Sequence, residues 1–164
     1  MELKIFDGDV LDSGADVIAH QTNCIGGFGS GVAGAIAHRY PTVQKEYYIH
    51  CQSHKPSDLL GTIQVCSIHD KSGKVQFIAN LFGQMAYGYD GNTRYTSYDG
   101  IFDAMTKLRQ WAESVSDIHV IAFPYGMSSV RGGASWNVIQ EMIKAVFEDS
   151  RFEVQIWRLE PNKQ

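Results

Sequence analysis

The sequence predicts an α/β fold in which helices cover both faces of a mixed β-sheet. Strand patterns alternate with helical patterns along most of the chain, which is typical of this class. Two consecutive strand patterns, residues 62–68 and 75–82, are joined by a polar turn that ends in glycine, so we expect a hairpin of antiparallel strands. With 164 residues, 44% of them apolar and 20% charged, the chain is long enough for one well-buried core and short for two. We therefore expect one domain, residues 1–160, and a short polar tail, residues 161–164.

The first half of the chain begins with short strands and continues into helices. Residues 3–6 have the apolar-rich pattern of a half-buried strand, and the turn residues 7–9 end it. Residues 17–19, Val-Ile-Ala, read as the end of a buried strand. Apolar residues recur at helical spacing over residues 31–40, which predicts a helix. Pro41 ends that helix and can begin a second one, over about residues 41–51.

The second half of the chain continues this alternation after the hairpin. Residues 83–98 form the longest irregular segment, rich in glycine and tyrosine, and loops of this kind at strand ends often form functional rims. A Thr-x-x-Asp start and one apolar face predict a helix over about residues 96–114. Residues 118–123 read as a buried strand, an amphipathic helix begins at Trp136, and the alternating residues 152–159 end the pattern as a strand.

The charge and hydropathy of the chain exclude some classes of protein. The net charge is −4 and no Lys/Arg-rich block is present. The sequence is therefore not typical of proteins that bind nucleic-acid backbones through positive charge. A diphosphate ligand must instead be held by local N–H groups and dipoles. No run approaches the roughly 20 apolar residues of a membrane span, and the first residues lack the pattern of a secretory signal. We expect a soluble, cytoplasmic protein without a membrane partner.

The cysteines and histidines show no metal-site pattern. Cys24, Cys51 and Cys66 lie far apart without a CxxC pair, which indicates reduced thiols in a cytosol-like compartment and argues against a structural zinc site. The six histidines include no HExxH pair. We expect neither a metal nor another cofactor.

A glycine-rich loop follows the strand that ends at residues 17–19. Polar residues 20–23 come first, and five glycines then lie within nine positions: Gly26, Gly27, Gly29, Gly31 and Gly34. Glycine lets the backbone approach a ligand closely, and a helix N-terminus offers unpaired N–H groups that favour negative charge. Strand, glycine-rich loop and helix together predict an anion-binding site. The alternative is a merely mobile glycine loop.

A second strand, polar glycine-containing loop and helix follow at residues 118–136. Open α/β sheets bind ligands at the carboxyl ends of central strands, so we expect the two loops to meet there. A cleft between two loops rich in N–H groups suits an extended ligand with phosphates in its middle. Neither loop has the lysine of a P-loop or the spacing and acidic residue of a dinucleotide-binding Rossmann domain.

The first loop resembles the ligand loop of macrodomains. The matching pattern is His20-x-x-Asn23-Cys24-x-Gly26-x-x-Gly29-x-Gly31-Val32-Ala33, followed by Tyr40-Pro41. Gly8-Asp9-Val10, Leu60-Gly61 and residues 124–136 resemble further elements of the family, in particular of the branch with the yeast-type ADP-ribose 1″-phosphate phosphatase and the terminal ADP-ribose protein glycohydrolase. The resemblance spans nearly the whole chain. It implies a three-layer α/β/α sandwich that binds ADP-ribose or a derivative.

The resemblance assigns a role to each matching residue. Asp9 matches an aspartate that accepts a hydrogen bond from the adenine amino group, and Val10 adds a backbone contact beside it. His20 and Asn23 are the candidate catalytic residues: a histidine of the phosphatase branch, able to act as general acid or base, and an asparagine that touches the distal ribose. The other expected ligand contacts are Gly29, Gly31, Val32, Ala33, Ser128, Ser129, Val130, Arg131 and Trp157.

Three of these residues also have a purely structural interpretation. Asp9 could be a turn aspartate, and His20 could be a satisfied histidine at a strand end. Trp157, which matches an adenine-stacking aromatic of the family, could simply be buried in the sheet.

The second loop departs from the family pattern, which usually reads G-x-G. Ser129 and Val130 could crowd a diphosphate, or the serine hydroxyls and Arg131 could donate to it. Gln84 and Gly132 occupy the places of the lysine and aspartate of the glycohydrolase branch, so its covalent lysine mechanism is not expected. The first loop also lacks the acidic residue of the phosphatase branch.

Two classes of function remain open at this point. One is a hydrolase of an ADP-ribose derivative, either the 1″-phosphate or an ADP-ribosyl bond to a macromolecule, in which the ligand's own phosphate can orient a water. The other is a non-catalytic module that binds ADP-ribose or an ADP-ribosylated partner. A different nucleotide, selected by the altered second loop, is a third possibility.

Overall fold

The computed structural model describes residues 1–159, so the polar tail expected at residues 161–164 lies outside the described residues. The strands are β1 (Lys4–Asp7), β2 (Val17–Asn23), β3 (Ile63–His69), β4 (Val75–Gln84), β5 (Val120–Pro124) and β6 (Glu153–Arg158). The α-helices are α1 (Gly31–Arg39), α2 (Pro41–Gln52), α3 (Pro56–Leu59), α4 (Tyr98–Glu113) and α5 (Trp136–Phe147), and a 3₁₀ helix, Val10–Asp12, follows β1. Within residues 1–159, no helix is long and apolar enough to cross a membrane.

The strands form one sheet in the order β1-β6-β5-β2-β4-β3. All neighbouring strands are parallel except β3 and β4, which form the expected antiparallel hairpin. The prediction of a mixed sheet is confirmed. At the centre, β2 and β5 lie side by side, and the strands that follow each of them in the chain lie toward opposite edges of the sheet. Such a switch point leaves a crevice beyond the carboxyl ends of the two strands.

The side chains of the central strands alternate between two cores. Ile18 of β2 packs in the core that contains Ile36 of α1 and Tyr47 of α2. Val17 and Ala19 point to the opposite core, which contains the apolar faces of α4 and α5. Helices on both faces of one sheet give the three-layer α/β/α sandwich that the resemblance implied.

Strand β2 is longer than the sequence pattern predicted. Residues 17–19 were the expected strand, but it continues to Asn23, pairing His20 with Asn80 and Thr22 with Phe82 before the register with β4 shifts at Asn23. The hydropathy pattern ended the strand too early because its polar residues find hydrogen-bond partners inside the protein instead of water.

Helix α4 begins one residue later than its capping pattern predicted. Ser97 is the N-cap residue, and its hydroxyl accepts a hydrogen bond from the N–H of Gly100 at 3.0 Å. Thr96 instead donates its hydroxyl to the backbone oxygen of Ser128, also at 3.0 Å. The sequence pattern also missed α3, which is a single turn and too short to show helical periodicity.

A carboxylate joins the amino ends of the central strands. Oδ2 of Asp16 accepts hydrogen bonds from the N–H groups of His119 at 2.8 Å and Val120 at 2.9 Å. Nζ of Lys74, which precedes β4, lies 3.3 Å from Oδ1. Burial alone raises the pKa of Asp16, but the two N–H donors and Lys74 outweigh it and hold the pKa below its usual range. The charged carboxylate therefore links β2, β4 and β5.

Replacing Asp16 by alanine is expected to lower the free energy of unfolding by about 2 kcal/mol at pH 7, because two backbone donors lose a charged acceptor. Since the pKa of Asp16 is lowered on folding, this contribution is complete above the unfolded pKa of about 3.9 and is lost as the pH falls through the folded value. Urea unfolding at pH 7 and below pH 4 measures both effects.

The control is Asp7→Asn, which changes an exposed ion pair with Arg158. This variant should lower the free energy of unfolding by less than about 0.5 kcal/mol. Equal losses in the two variants would contradict the role given to Asp16.

Candidate functional site

A cleft of about 1300 Å³ opens beyond the carboxyl ends of β2 and β5. One wall is the first loop, residues 24–30, which follows β2, and the opposite wall is the second loop, residues 125–135, which follows β5. The loops meet because their strands are adjacent and parallel. The residues expected to bind or act on a ligand all border this cleft, with the exception of Ser129.

The first loop is anchored by its own side chains. Oδ1 of Asn23 accepts hydrogen bonds from the N–H groups of Ile25 and Gly27, both at 3.0 Å, and Nδ2 donates to the backbone oxygen of Gly27 at 2.7 Å. The Tyr47 hydroxyl donates to the backbone oxygen of Asn23 at 2.7 Å. Phe28 is fully buried and packs on Tyr47, with 4.7 Å between the ring centroids. These contacts oppose the alternative of a merely mobile glycine loop.

Most hydrogen-bonding groups of the Asn23 side chain are therefore used to hold the first loop and are not available to a ligand. The side-chain oxygen Oδ1 already accepts from two backbone N–H groups, so both of its lone pairs are used by the protein. One of the two amide hydrogens on Nδ2 is left for the ligand contact that the resemblance implies.

The first loop leads into the amino end of α1. Ser30 is the N-cap residue, but within residues 1–159 no side chain caps this helix. Gly31, Val32 and Ala33 border the cleft, and the first N–H groups of a helix have no partner inside it. Gly31 has a φ of 59°, which glycine adopts readily at the entry to the helix. This wall of the cleft therefore carries partial positive charge and free donors, and it favours a phosphate.

The second loop turns the side chains of Ser128 and Ser129 toward the protein. Ser128 has a left-handed backbone, with a φ of 71°, and its hydroxyl donates to Oε1 of Gln21 at 2.7 Å. The Ser129 hydroxyl donates to the backbone oxygen of Gly126 at 2.6 Å. Val130 is 85% exposed, so it lies at the rim and does not fill the cleft.

The structure therefore separates the alternatives for this loop. Val130 does not crowd the cleft, and both serine hydroxyls already have protein acceptors. Ser129 was expected to contact the ligand, but it does not border the cleft because its hydroxyl closes the turn at residue 126. Arg131 borders the cleft, with its guanidinium 5.7 Å from the ring centroid of Tyr89 at the mouth.

His20 lies at the floor of the cleft and is 2% exposed. Its Nε2 donates to Oδ1 of Asn80 at 2.6 Å, because an amide oxygen can only accept, and Nδ2 of Asn80 donates to Gln64 at 3.1 Å. Burial lowers the pKa of His20 to about 4, and the bond to Asn80 offsets only part of that effect. At neutral pH the imidazole is therefore uncharged, and Nδ1 is the ring nitrogen left to accept a hydrogen bond.

The opposite end of the cleft lies beside β1 and β6. Oδ1 of Asp9 accepts the N–H of Leu11 at 2.9 Å and caps the 3₁₀ helix. Trp157 stacks on Phe6, with ring centroids 5.1 Å apart and planes 14° apart, and its Nε1 donates to Gln155 at 2.8 Å. Asp9 thus has the turn role considered from the sequence, whereas Trp157 is only half-buried and not enclosed in the sheet. Both residues border the cleft.

Comparison with known proteins places this arrangement in a family. No family model matches the chain. The solved macrodomain of Mycobacterium tuberculosis DarG superposes with a TM-score of 0.80 at 18% identity, covering 95% of this chain and 97% of that one, which shows the fold alone. An ADP-ribose 1″-phosphate phosphatase of Meyerozyma guilliermondii is 31% identical over 124 residues, 69% of this chain and 69% of the relative. The chain belongs to the macrodomain family.

A further solved structure supports the fold of this macrodomain. Thermosipho africanus DarTG, solved in complex with ADP-ribose, superposes with a TM-score of 0.75 at 15% identity. The match covers 98% of this chain and 43% of that one, so the macrodomain fold accounts for part of the larger protein.

This macrodomain replaces the charged pair that the resemblance assigns to the glycohydrolase branch. Gln84 accepts a hydrogen bond from Gln21 at 2.7 Å and donates to a backbone carbonyl at 2.8 Å. A Cβ atom at Gly132 would collide with the Thr96 hydroxyl and the backbone oxygen of Ser128. The second loop has no room for a side chain at position 132, so a carboxylate does not fit there.

Several residues that border the cleft were not among the ligand contacts expected from the sequence: Gln21, Phe28, Gln84, Tyr87 and Tyr125. The glycine and tyrosine content of residues 83–98 did indicate a functional rim, and the Tyr87 ring lies against Gly27. No local pattern points to Gln21, because its partners lie 63 to 107 positions away in the chain.

The described part of the chain contains no group of three or more His, Cys, Asp or Glu that could hold a metal ion. Cys24, Cys51 and Cys66 are free thiols. Cys24 directly follows Asn23 at the base of the first loop and is buried. Burial, with a smaller contribution from the Cys51 thiol, raises the pKa of Cys24 to about 12.

An NMR titration of the His20 ring should find it neutral down to about pH 4. Because the pKa of His20 in the folded protein lies below the unfolded value of about 6.5, the unfolded state binds a proton first as the pH falls. The free energy of unfolding should therefore be unaffected by His20 above pH 6.5 and should fall by up to about 3 kcal/mol as the pH approaches 4. Asn80→Leu removes the bond that favours the charged ring and should lower the pKa further. A His20 pKa near 6.5 in the folded protein would contradict this geometry.

Proposed function

We propose that this macrodomain binds ADP-ribose or a derivative in the cleft and hydrolyses a bond at the end of the ligand beside His20. The observation that carries the proposal is the amino end of α1, where the N-cap residue Ser30 makes no capping hydrogen bond and which faces the second loop across one cleft. The relative from Meyerozyma guilliermondii is named an ADP-ribose 1″-phosphate phosphatase, and the Thermosipho africanus protein was solved with ADP-ribose. Both support this class of ligand.

A pyrophosphate suits the middle of the cleft because its walls supply N–H donors. The chain has a net charge of −4, so attraction by the overall charge does not favour a dianion. Local donors at Gly31, Val32 and Ala33, aligned with the α1 dipole, favour phosphate oxygens at short range. The Arg131 guanidinium at the rim adds a charged donor.

The adenine end of the ligand is assigned to the side of the cleft beside Asp9 and Trp157. One carboxylate oxygen of Asp9 is used by the cap, and the other can accept from an exocyclic amino group. The Trp157 ring offers an aromatic surface next to it at the cleft. In this orientation the distal ribose lies toward His20 and Asn23.

Hydrolysis at the distal end must proceed with an uncharged imidazole. His20 holds its proton on Nε2 toward Asn80, so it can accept from a water or a ribose hydroxyl through Nδ1 but cannot act as a general acid at neutral pH. Orientation of the water by the ligand's own phosphate, with the first loop holding both, needs mainly binding geometry. The covalent lysine route has no lysine at position 84.

Calorimetry should detect 1:1 binding of ADP-ribose, with an affinity about tenfold weaker in Asp9→Asn. Asparagine keeps the oxygen that caps the 3₁₀ helix, but it replaces the second acceptor by an amino group that opposes the adenine amine. Glu113→Gln, which also turns a carboxylate into an amide but belongs to an ion pair with Arg109 away from the cleft, is the control and should bind as wild type. Absence of binding in the wild type would refute the assignment of the ligand.

Turnover separates the hydrolase from a non-catalytic binding module. We expect wild type to release phosphate from ADP-ribose 1″-phosphate or ADP-ribose from ADP-ribosylated protein, and His20→Gln to lower kcat at least about tenfold with a smaller change in KM. Because the His20 pKa is about 4, its protonation should not reduce kcat between pH 8 and 5. A wild type that binds ADP-ribose and releases product from neither substrate would establish the binding module instead.

A further inference from the structure

We propose that Gln21 is a positioning residue whose side chain fixes the conformation of the second loop. Strand β2, which leads into the first loop, then determines the conformation of both loops. The proposal rests on the function proposed above, because it concerns the loops that enclose the ligand. Gln21 belongs to β2, borders the floor of the cleft and matches no element of the motif in the sequence.

The Gln21 amide connects three separate parts of the chain. Nε2 donates to Oε1 of Gln84 at the end of β4, at 2.7 Å, and to the Thr96 hydroxyl before α4, at 2.8 Å. Oε1 accepts from the Ser128 hydroxyl of the second loop at 2.7 Å. Both amide hydrogens and the oxygen are therefore used by the protein, which leaves Gln21 to support the site and not to bind the ligand directly.

Two glycines fit closely around this amide. A Cβ atom at Gly83 of β4 would collide with Oε1 of Gln21, and one at Gly132 of the second loop would lie 3.1 Å from Nε2. Only residues without a side chain allow β4 and the second loop to approach the amide this closely. The packing holds the amide in one orientation, so its three hydrogen bonds persist together.

Ser128 explains why the second loop needs such support. Residues other than glycine rarely adopt a φ of 71°, so contacts elsewhere in the protein must hold Ser128 in this conformation. The Ser128 hydroxyl is bound by Gln21, and its backbone oxygen accepts from the Thr96 hydroxyl at 3.0 Å and the Ala134 N–H at 3.0 Å. Gln21 also donates to the Thr96 hydroxyl, so it contacts the Ser128 hydroxyl directly and the Ser128 backbone oxygen through Thr96.

Two nearby positions of β2 thus support the two walls of the cleft. Asn23 fixes the first loop through its own hydrogen bonds, and Gln21, two residues earlier, fixes the second through Ser128. A rigid strand between them keeps the separation of the loops constant, which an extended ligand that touches both loops requires.

The test replaces Gln21 by methionine, which keeps the length of the side chain and removes its hydrogen bonds. Amide hydrogen exchange of residues 126–133 without any ligand should become faster, because Ser128 loses its support. The affinity for ADP-ribose should fall about tenfold, while that for AMP, which has one phosphate and no distal ribose, should fall much less. Gln76→Met is the matched control: Gln76 is also buried and bonds Ala15 at 2.8 Å, away from the cleft.

A rescue variant separates positioning from general damage to the fold. Glycine adopts the left-handed conformation without support, so in a Ser128→Gly background Gln21→Met should weaken ADP-ribose binding by a clearly smaller factor than in the presence of Ser128. Equal factors in the two backgrounds, or exchange of residues 126–133 that is unchanged by Gln21→Met, would overturn the role of Gln21. If exchange becomes faster but wild type does not bind ADP-ribose, the role of Gln21 is upheld and the proposed function fails.

Discussion

The adjacency of β2 and β5 is the constraint on which the site depends. Two parallel strands at the centre of the sheet, with their neighbours in the chain on opposite sides, place two loops at one edge and leave a crevice between them. The helices on the two faces bury the strands, and the Asp16 carboxylate joins their amino ends. The polar groups of the site lie at the carboxyl ends of these strands.

Polar residues inside a central strand need hydrogen-bond partners from the protein, because burial removes most of the water around them. In β2 this requirement is met by long-range pairs: His20 with Asn80, and Gln21 with Gln84, Thr96 and Ser128. Each partnership fixes the side chain of the strand and also one element around the cleft. The same bonds that allow a polar strand to be buried therefore build the walls of the site.

Much of the fold was predictable from the sequence because strands and helices here follow the local periodicity. The glycine-rich loop, the helix from Gly31 and the hairpin have clear local patterns, and their positions were confirmed within a few residues. The extent of β2 and the cap at Ser97 were not predicted correctly, since both depend on partners that local patterns do not reveal. For the site, the motif identified the loop that lines the cleft, but the state of His20 and the role of Gln21 follow from burial and distant contacts.

Burial of Cys24 at the base of the first loop makes its thiol unreactive. Thiols react with peroxide and with alkylating reagents as thiolates, and a pKa of about 12 leaves almost none of that form at neutral pH. The residue that begins the first loop is therefore inert toward oxidants that would modify an accessible, acidic cysteine. The shape of the first loop therefore does not depend on the redox state of Cys24.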